Sequence, residues 1–117
     1  MRYTLHHHVA DRAGPHDDLR LEQDDGSVRS WALPKGFPQN MFENRLAIEG
    51  PLHGPDCLDF DGAITEGYGK GIIELLETGE YKIACATPAG PYTVSTDRLG
   101  TFTLRPFKEN WLIRRTK

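Results

Sequence analysis

RYTLHHHVADRAGPHDDLRLE, residues 2–22, decides how this chain is read. Successive side chains of a β-strand point to opposite faces. In the second half of the stretch Leu19 and Leu21 therefore go inward together, and His16, Asp18, Arg20 and Glu22 share the other face if the strand is already extended at His16. In the first half Tyr3 and Leu5 share a face with His7, which sets His6 and His8 on the opposite one. Two polar faces, with four of the chain's five histidines between them, are then able to meet.

The same period of two runs through the rest of the chain. Short runs rich in branched and aromatic residues lie between Gly, Pro and Asp clusters: SVRSWAL, RLAIE, GIIELLE, EYKIACA, YTVST, GTFTLRPF and NWLIRR. That spacing predicts a mainly β, single-domain small antiparallel barrel over residues 1–117, with at most one or two short helices. GIIELLETG is the one helix candidate and reads equally well as a strand. The Gly- and Pro-rich stretches 34–44 and 50–71 are expected to be loops, where sites usually sit on a rigid barrel.

A chain of 117 residues with 38% hydrophobic and 26% charged residues describes a soluble globular protein. A core of this size needs no staples, so Cys57 and Cys85 are expected to be free thiols. With no signal-peptide pattern and no apolar run near the roughly 18 residues of a membrane span, the expected location is the cytoplasm, with no membrane partner. The net charge of -3 is unevenly spread. Residues 1–66 carry twelve acids against six bases, whereas from Arg98 onward six bases face one acid, Glu109. Such a tail suits a polyanion, and a solvated basic strand edge accounts for it equally well.

His16 and Asp18 place an imidazole and a carboxylate about 6 to 7 Å apart at their Cα atoms on one strand. A third ligand from a neighbouring strand, His8 or His6, completes a two-histidine, one-carboxylate set with positions left open for water or substrate. A purification-tag remnant fits poorly, because three histidines after RYTL have neither the usual length nor the usual position. Arg20, Lys35 in WALPKG, Arg45 in RLAIE and His53 in PLHGP are the other chemistry-bearing side chains. Arginine forks match phosphate oxygens, lysine adds a point charge and histidine can move a proton. With a metal they describe phosphoryl transfer; singly, each is read as readily as a strand cap, a solvated loop residue or a carbonyl partner.

HDDLRLE, SWALPKG, RLAIE with a histidine eight residues after its arginine, and DFDGAITEGYGKG together resemble the 3′-phosphoesterase domain of bacterial DNA ligase D. GTFTLR and NWLIRR match its closing strands, so the resemblance covers nearly the whole chain, as a free-standing minimal member of that family. It implies a small β-barrel with a Mn²⁺-dependent activity, Co²⁺ and Zn²⁺ being the other metals to consider. It implies trimming of a 3′-terminal ribonucleotide and removal of the resulting 3′-phosphate at DNA or RNA ends, DNA primer-templates among them. It further implies a separate ligase and polymerase as partners in end joining. Residue by residue, the metal set falls on His16, Asp18 and His8. The phosphate-binding arginines fall on Arg20 and Arg45, and the catalytic histidine on His53. Ser30 and Lys35 match SWAxPKG, and Glu22 ends the DLRLE match.

Asp17, Leu52 and Cys57 depart from the family pattern, where a tyrosine, an aspartate and a tyrosine stand. The gap between His8 and His16 is two residues longer than in the ligase-borne domain, which leaves His7 and His6 as alternatives to His8. The family's preceding arm is expected to be absent, which bears on the ribonuclease step more than on phosphate removal. Two rival readings use the same residues. One is a non-haem Fe(II) barrel oxygenase with His53 as third ligand and the arginines on an organic acid. The other is an inactive module that only binds 3′-phosphate ends.

Overall fold

Strand β1 (Arg2–Ala10) is hydrogen-bonded along both edges, to β2 (Gly14–Glu22) and to β6 (Gly71–Cys85), and this double pairing closes the sheet. The computed structural model describes residues 1–65 and 70–117; the 66–69 part of the DFDGAITEGYGKG motif lies outside the described residues. Between these strands come β3 (Val28–Leu33), β4 (Asn44–Glu49), β9 (Asn110–Arg115), β8 (Thr101–Phe107) and β7 (Tyr92–Thr96). The ring runs β1-β2-β3-β4-β9-β8-β7-β6 and back to β1, every pair antiparallel, and β5 (Gly62–Ile64) adds to the free edge of β6. Closure of this kind removes the exposed edges that make open sheets prone to pair with other chains.

Eight strands enclose a space that side chains just fill. Tyr3, Leu5, Leu19, Leu21, Trp31, Leu33, Val94, Phe102, Leu104 and Ile113 meet there. Trp31 stands edge-on to Trp111 at 5.8 Å between ring centroids, and Phe37 edge-on to Phe102 at 5.4 Å. Both are geometries that aromatic quadrupoles favour. The alternation expected for residues 16–22 holds: Leu19 and Leu21 are core, with Asp18 and Arg20 on the face turned away from it.

Two sequence expectations change. GIIELLE and EYKIACA are one 15-residue strand, β6, which runs unbroken through Thr78-Gly79. Its first part pairs with β1 and its last five residues with β7, so one strand serves both halves of the barrel. The missing side chain of Gly79 leaves room for Asp97: a Cβ there would lie 2.1 Å from Oδ1 of Asp97, the atom that accepts the Glu80 N–H. The stretch 50–71, expected to be loop, contains a 3-10 turn (Pro55–Leu58) and β5; 34–43 is loop and Asn44 begins β4. Cys57 and Cys85 are both free, and among the described residues no helix is long and apolar enough to cross a membrane.

Gly71 sets how closely β1 and β6 approach. Its φ is +154°, and a Cβ would sit 2.1 Å from the Val9 carbonyl oxygen. Gly71→Ala is expected to lower stability by about 2–4 kcal/mol through strain and crowding, read as a lower urea midpoint at unchanged slope.

Candidate functional site

The outward faces of β1, β2 and β3 carry the polar residues of the opening stretch. Register places His8 opposite His16, His6 opposite Asp18, and Thr4 opposite Arg20, with Ser30 on the other side of Arg20. All but His16 of these seven are buried, because residues 51–64 run over this face. Besides the pairing of β5 with β6, side-chain and backbone bonds hold that strap. His53 and Val28 exchange backbone hydrogen bonds of 2.9 and 3.0 Å, and Arg20 Nη1 donates to the Cys57 carbonyl at 2.6 Å. Arg2 Nη2 meets Asp59 at 2.6 Å, His6 Nε2 meets the Phe60 carbonyl at 3.0 Å, and the Leu75 N–H donates to Asp61 at 3.1 Å.

Under the strap lies a cavity of about 470 Å³, lined by His8, His16, Asp18, Arg20, Ser30 and His53 beside apolar Ala32, Ile48 and Ile64. Asp18 is its hub: Oδ2 lies 3.3 Å from His8 Nδ1 and 3.9 Å from Arg20 Nη2, and Oδ1 lies 3.2 Å from His16 Nε2. One potential ligand atom from each of His8, His16 and Asp18 falls within 4.8 Å of the others. Two imidazoles and a carboxylate, brought together on adjacent strands, are a donor set that transition ions accept. His16 Nδ1 donates to the Gly14 carbonyl at 3.2 Å, which turns Nε2 toward Asp18.

The electrostatics follow from burial and neighbours. Burial alone would raise the Asp18 carboxyl, but the His16 hydrogen bond and the charges of His16, Arg20 and His8 together leave it below the ordinary range. His16 is raised by the hydrogen bond to Asp18. His53 is lowered, first by burial and then by the Arg20 charge. Arg20 Nε is buried with no hydrogen-bond partner, an unmet donor beside the cavity.

The histidine triplet is resolved into three environments. His8 faces Asp18; His7 points the other way, to Asp17 at 3.0 Å, and that carboxylate also takes the Phe37 N–H at 2.9 Å. Asp17, which departs from the family pattern, thus ties β2 to the 34–44 loop. His6 is fully enclosed, one ring nitrogen on Phe60 O and the other 3.3 Å from Thr4 Oγ1. The cavity does not collect every expected residue. Arg45 donates to the Lys35 and Phe37 carbonyls and pairs with Glu43 at 2.8 Å, clamping the 34–44 loop. The exposed Lys35 follows directly on Pro34, which lines the cavity. Glu22 takes the Arg2 N–H at 3.2 Å and the Tyr81 hydroxyl on its carbonyl, bracing the barrel. His53 lines the cavity but is not part of the compact donor cluster, in which His8 takes the place that the oxygenase reading gave to it. Thr4, Cys57 O and Phe60 O were missed by sequence reasoning, since a carbonyl or a hydroxyl on a covering segment leaves no motif.

His6 makes a test of this packing. Burial first and the Arg20 charge second lower it from 6.5 to about 4, so the native state holds it neutral while the unfolded chain takes up a proton near its ordinary value. Its contribution is complete above pH ~6.5 and is lost as pH falls toward ~4, by up to about 3 kcal/mol. In His6→Gln, which can still donate to Phe60 O, urea denaturation across that range should show a flatter pH dependence than in the wild type.

Residues 6–113 match the model of the DNA Ligase D 3′-phosphoesterase domain. The chain is 41% identical over 80 residues to the multifunctional non-homologous end joining protein LigD of Mycobacterium bovis, covering 68% of this chain and 10% of that protein. It is 39% identical over 82 residues to the LigD proteins of Mycolicibacterium smegmatis and Pseudomonas aeruginosa, covering 69% of this chain and 10% and 9% of those proteins. The chain thus spans about a tenth of the length of these relatives.

Proposed function

The chain belongs to the DNA ligase D 3′-phosphoesterase domain family, and from that premise we propose that its cavity receives the 3′ end of a nucleic acid strand and removes a terminal phosphate. The observation that carries this reading is the meeting, in one cavity, of the His8, His16 and Asp18 cluster with Arg20, His53 and Ser30. A divalent transition ion, Mn²⁺ first, with Co²⁺ and Zn²⁺ as alternatives, would be held by His8, His16 and Asp18 and would supply a Lewis acid for a phosphoryl oxygen. The donor set fits: the carboxylate is kept ionised, and His16 is oriented through Gly14 O.

The remaining work falls to the chain's own groups. Arg20, fixed by Cys57 O and Asp18, offers its unmet Nε to a phosphoryl oxygen, with the Ser30 hydroxyl beside it. Such fixed donors stabilise the charge that spreads over the oxygens during transfer. Lys35 adds a mobile cation at the rim. His53, held neutral, is set to accept the proton of the attacking water and pass it to the departing 3′-oxygen, leaving a 3′-hydroxyl and inorganic phosphate. For removal of a terminal ribonucleoside the 2′-oxygen of the preceding ribose bonds to phosphorus as the bond to the departing 5′-oxygen breaks; His53 takes the 2′ proton and passes it to that 5′-oxygen, and water then opens the cyclic phosphate to a 3′-phosphate, which is removed in turn. The product end is one that a separate polymerase or ligase of an end-joining system extends or seals. Recognition rests on phosphate and leaves base sequence unread.

Incubation with Mn²⁺ and a 3′-phosphate primer should release inorganic phosphate. His16→Ala and Asp18→Ala should abolish release. Arg20→Ala and His53→Ala should lower kcat by about 10²-fold or more, and Arg45→Ala, which touches only the loop clamp, should lower it much less. No release with any of the three metals would sink the proposal: retained binding of 3′-phosphate ends would then favour the binding module, and oxygen uptake with Fe²⁺ the oxygenase.

Metal retention has its own readout. Near 100-fold saturation Mn²⁺ should stabilise the wild type and His6→Gln by about 3 kcal/mol, seen as a Tm higher by several degrees. His8→Gln should show almost none of that shift.

A further inference from the structure

β3 has the cavity on one face and the core on the other. Val28, Ser30 and Ala32 are on its outward face, whereas Trp31 and Leu33 are core, and Arg29 shares their side. Glu49 of β4 lies opposite Trp31 and, two residues from core Ala47, stands on the core side too. Beyond Glu49 the chain follows β3 into the strap: the Gly50 N–H donates to the Ser30 carbonyl at 2.9 Å, and His53 bridges Val28. The two sides do not keep step. From Trp31 to Val28 is three residues and from Glu49 to His53 is four, so Pro51 and Leu52 together stand against Arg29. One extra residue makes a bulge, a feature that re-aims the side chain beyond it, and proline is accommodated there because it has no N–H to pair. The side chain beyond is His53.

Arg29, opposite the bulge, has its guanidinium engaged on every side. Nε and Nη2 donate to the two carboxylate oxygens of Glu49 at 2.8 and 3.2 Å, and Nη1 donates to the Tyr92 hydroxyl at 3.0 Å. That hydroxyl donates in turn to the Pro88 carbonyl. Cζ of Arg29 lies 4.7, 5.2 and 5.6 Å from the ring centroids of Trp31, Tyr92 and Trp111. Three rings and a two-pronged bond fix the plane of the group, which the single ammonium of a lysine cannot reproduce. The ion pair is partly exposed, so it adds only modest stability. Its geometric effect is larger, because the fork determines where Glu49 stands on β3 and therefore where the extra residue falls.

We infer that Arg29 is a positioning residue for His53: by forking Glu49 it locks the register at the head of the strap, and so fixes the bulge that turns His53 into the cavity. Without the fork the bulge is free to slip along β3, and a slip of one residue carries a side chain to the opposite face. Arg29 stands on the far side of β3 from the cavity and acts through Glu49 and the strap. The inference rests on the catalytic role given above to His53.

Steady-state phosphate release, together with amide hydrogen exchange read residue by residue by NMR, tests this on the full chain. In Arg29→Lys kcat should fall by about 10- to 100-fold with KM within about twofold of wild type, as expected when a group that acts in the transition state is displaced. The Val28 and His53 amides should exchange about tenfold faster or more, while those of Leu19 and Leu21 stay as in the wild type and show the barrel intact. Glu49→Gln should repeat both effects. Arg29→Lys/Glu49→Gln should do no worse than the more damaging single variant, because each removes the same contact. Unchanged exchange at Val28 and His53, faster exchange shared by Leu19 and Leu21, a KM rise at constant kcat, or additive losses in the double variant would overturn the positioning role. If the wild type releases no phosphate but both amides still lose protection in the variants, the catalytic reading of His53 falls and the register lock stands.

Discussion

One carboxylate holds the outward face of the barrel together. Asp18 is nearly buried, and a lone buried charge is costly. Its position is stable because His8, His16 and Arg20 converge on its two oxygens from three directions. Arg20, itself buried, needs a counter-charge and an acceptor, and it finds them in Asp18 and in the Cys57 carbonyl of the strap above. The strap is therefore seated on the charged cluster, and the cluster is desolvated by the strap. Removing either partner leaves a buried charge uncompensated, the expensive way to break such a pair.

This arrangement turns the barrel's two surfaces to different uses. The interior is filled by large side chains. The exterior of β1, β2 and β3 carries the polar groups, and the register of β1 with β2 sets His8 against His16. Strand positions are stiffer than loop positions, so the three donor residues on adjacent strands are held close together. Ala32 and Ile48 give the cavity an apolar wall beside the polar cluster.

How much of this was legible depended on whether a residue's face could be read from its neighbours. Leu19 and Leu21 flank Arg20 and fix its side, and Tyr3 and Leu5 fix His8 by two-residue steps. Around Arg45 the pattern misleads. Leu46 and Ile48 look like the core set but stand at 38% and 39% exposure, while small Ala47 is the buried one and Arg45 shares its side. An apolar outer surface hides the parity of the strand, and a cation expected at phosphate became a loop clamp. Lys35 and Glu22 show the related limit that a motif match conveys residue type and spacing, not where the side chain ends. Thr78-Gly79 reads as a turn because sequence does not reveal that Asp97 fills the room of the missing side chain.

By itself the sequence determined the β class, the inward and outward sides of residues 16–22, the His16 and Asp18 pair, and, through ordered motifs, the family. These depend on alternation and short spacing, which are local. Only the tertiary structure decided which histidine of the triplet meets Asp18, which cations reach the cavity, and that residues 51–64 roof it. Those outcomes depend on the register of β1 against β2 and on a covering segment pinned by backbone carbonyls. The carbonyl group is common to every residue, so no letter of the sequence marks the ones that hold Arg20 and His6 in place.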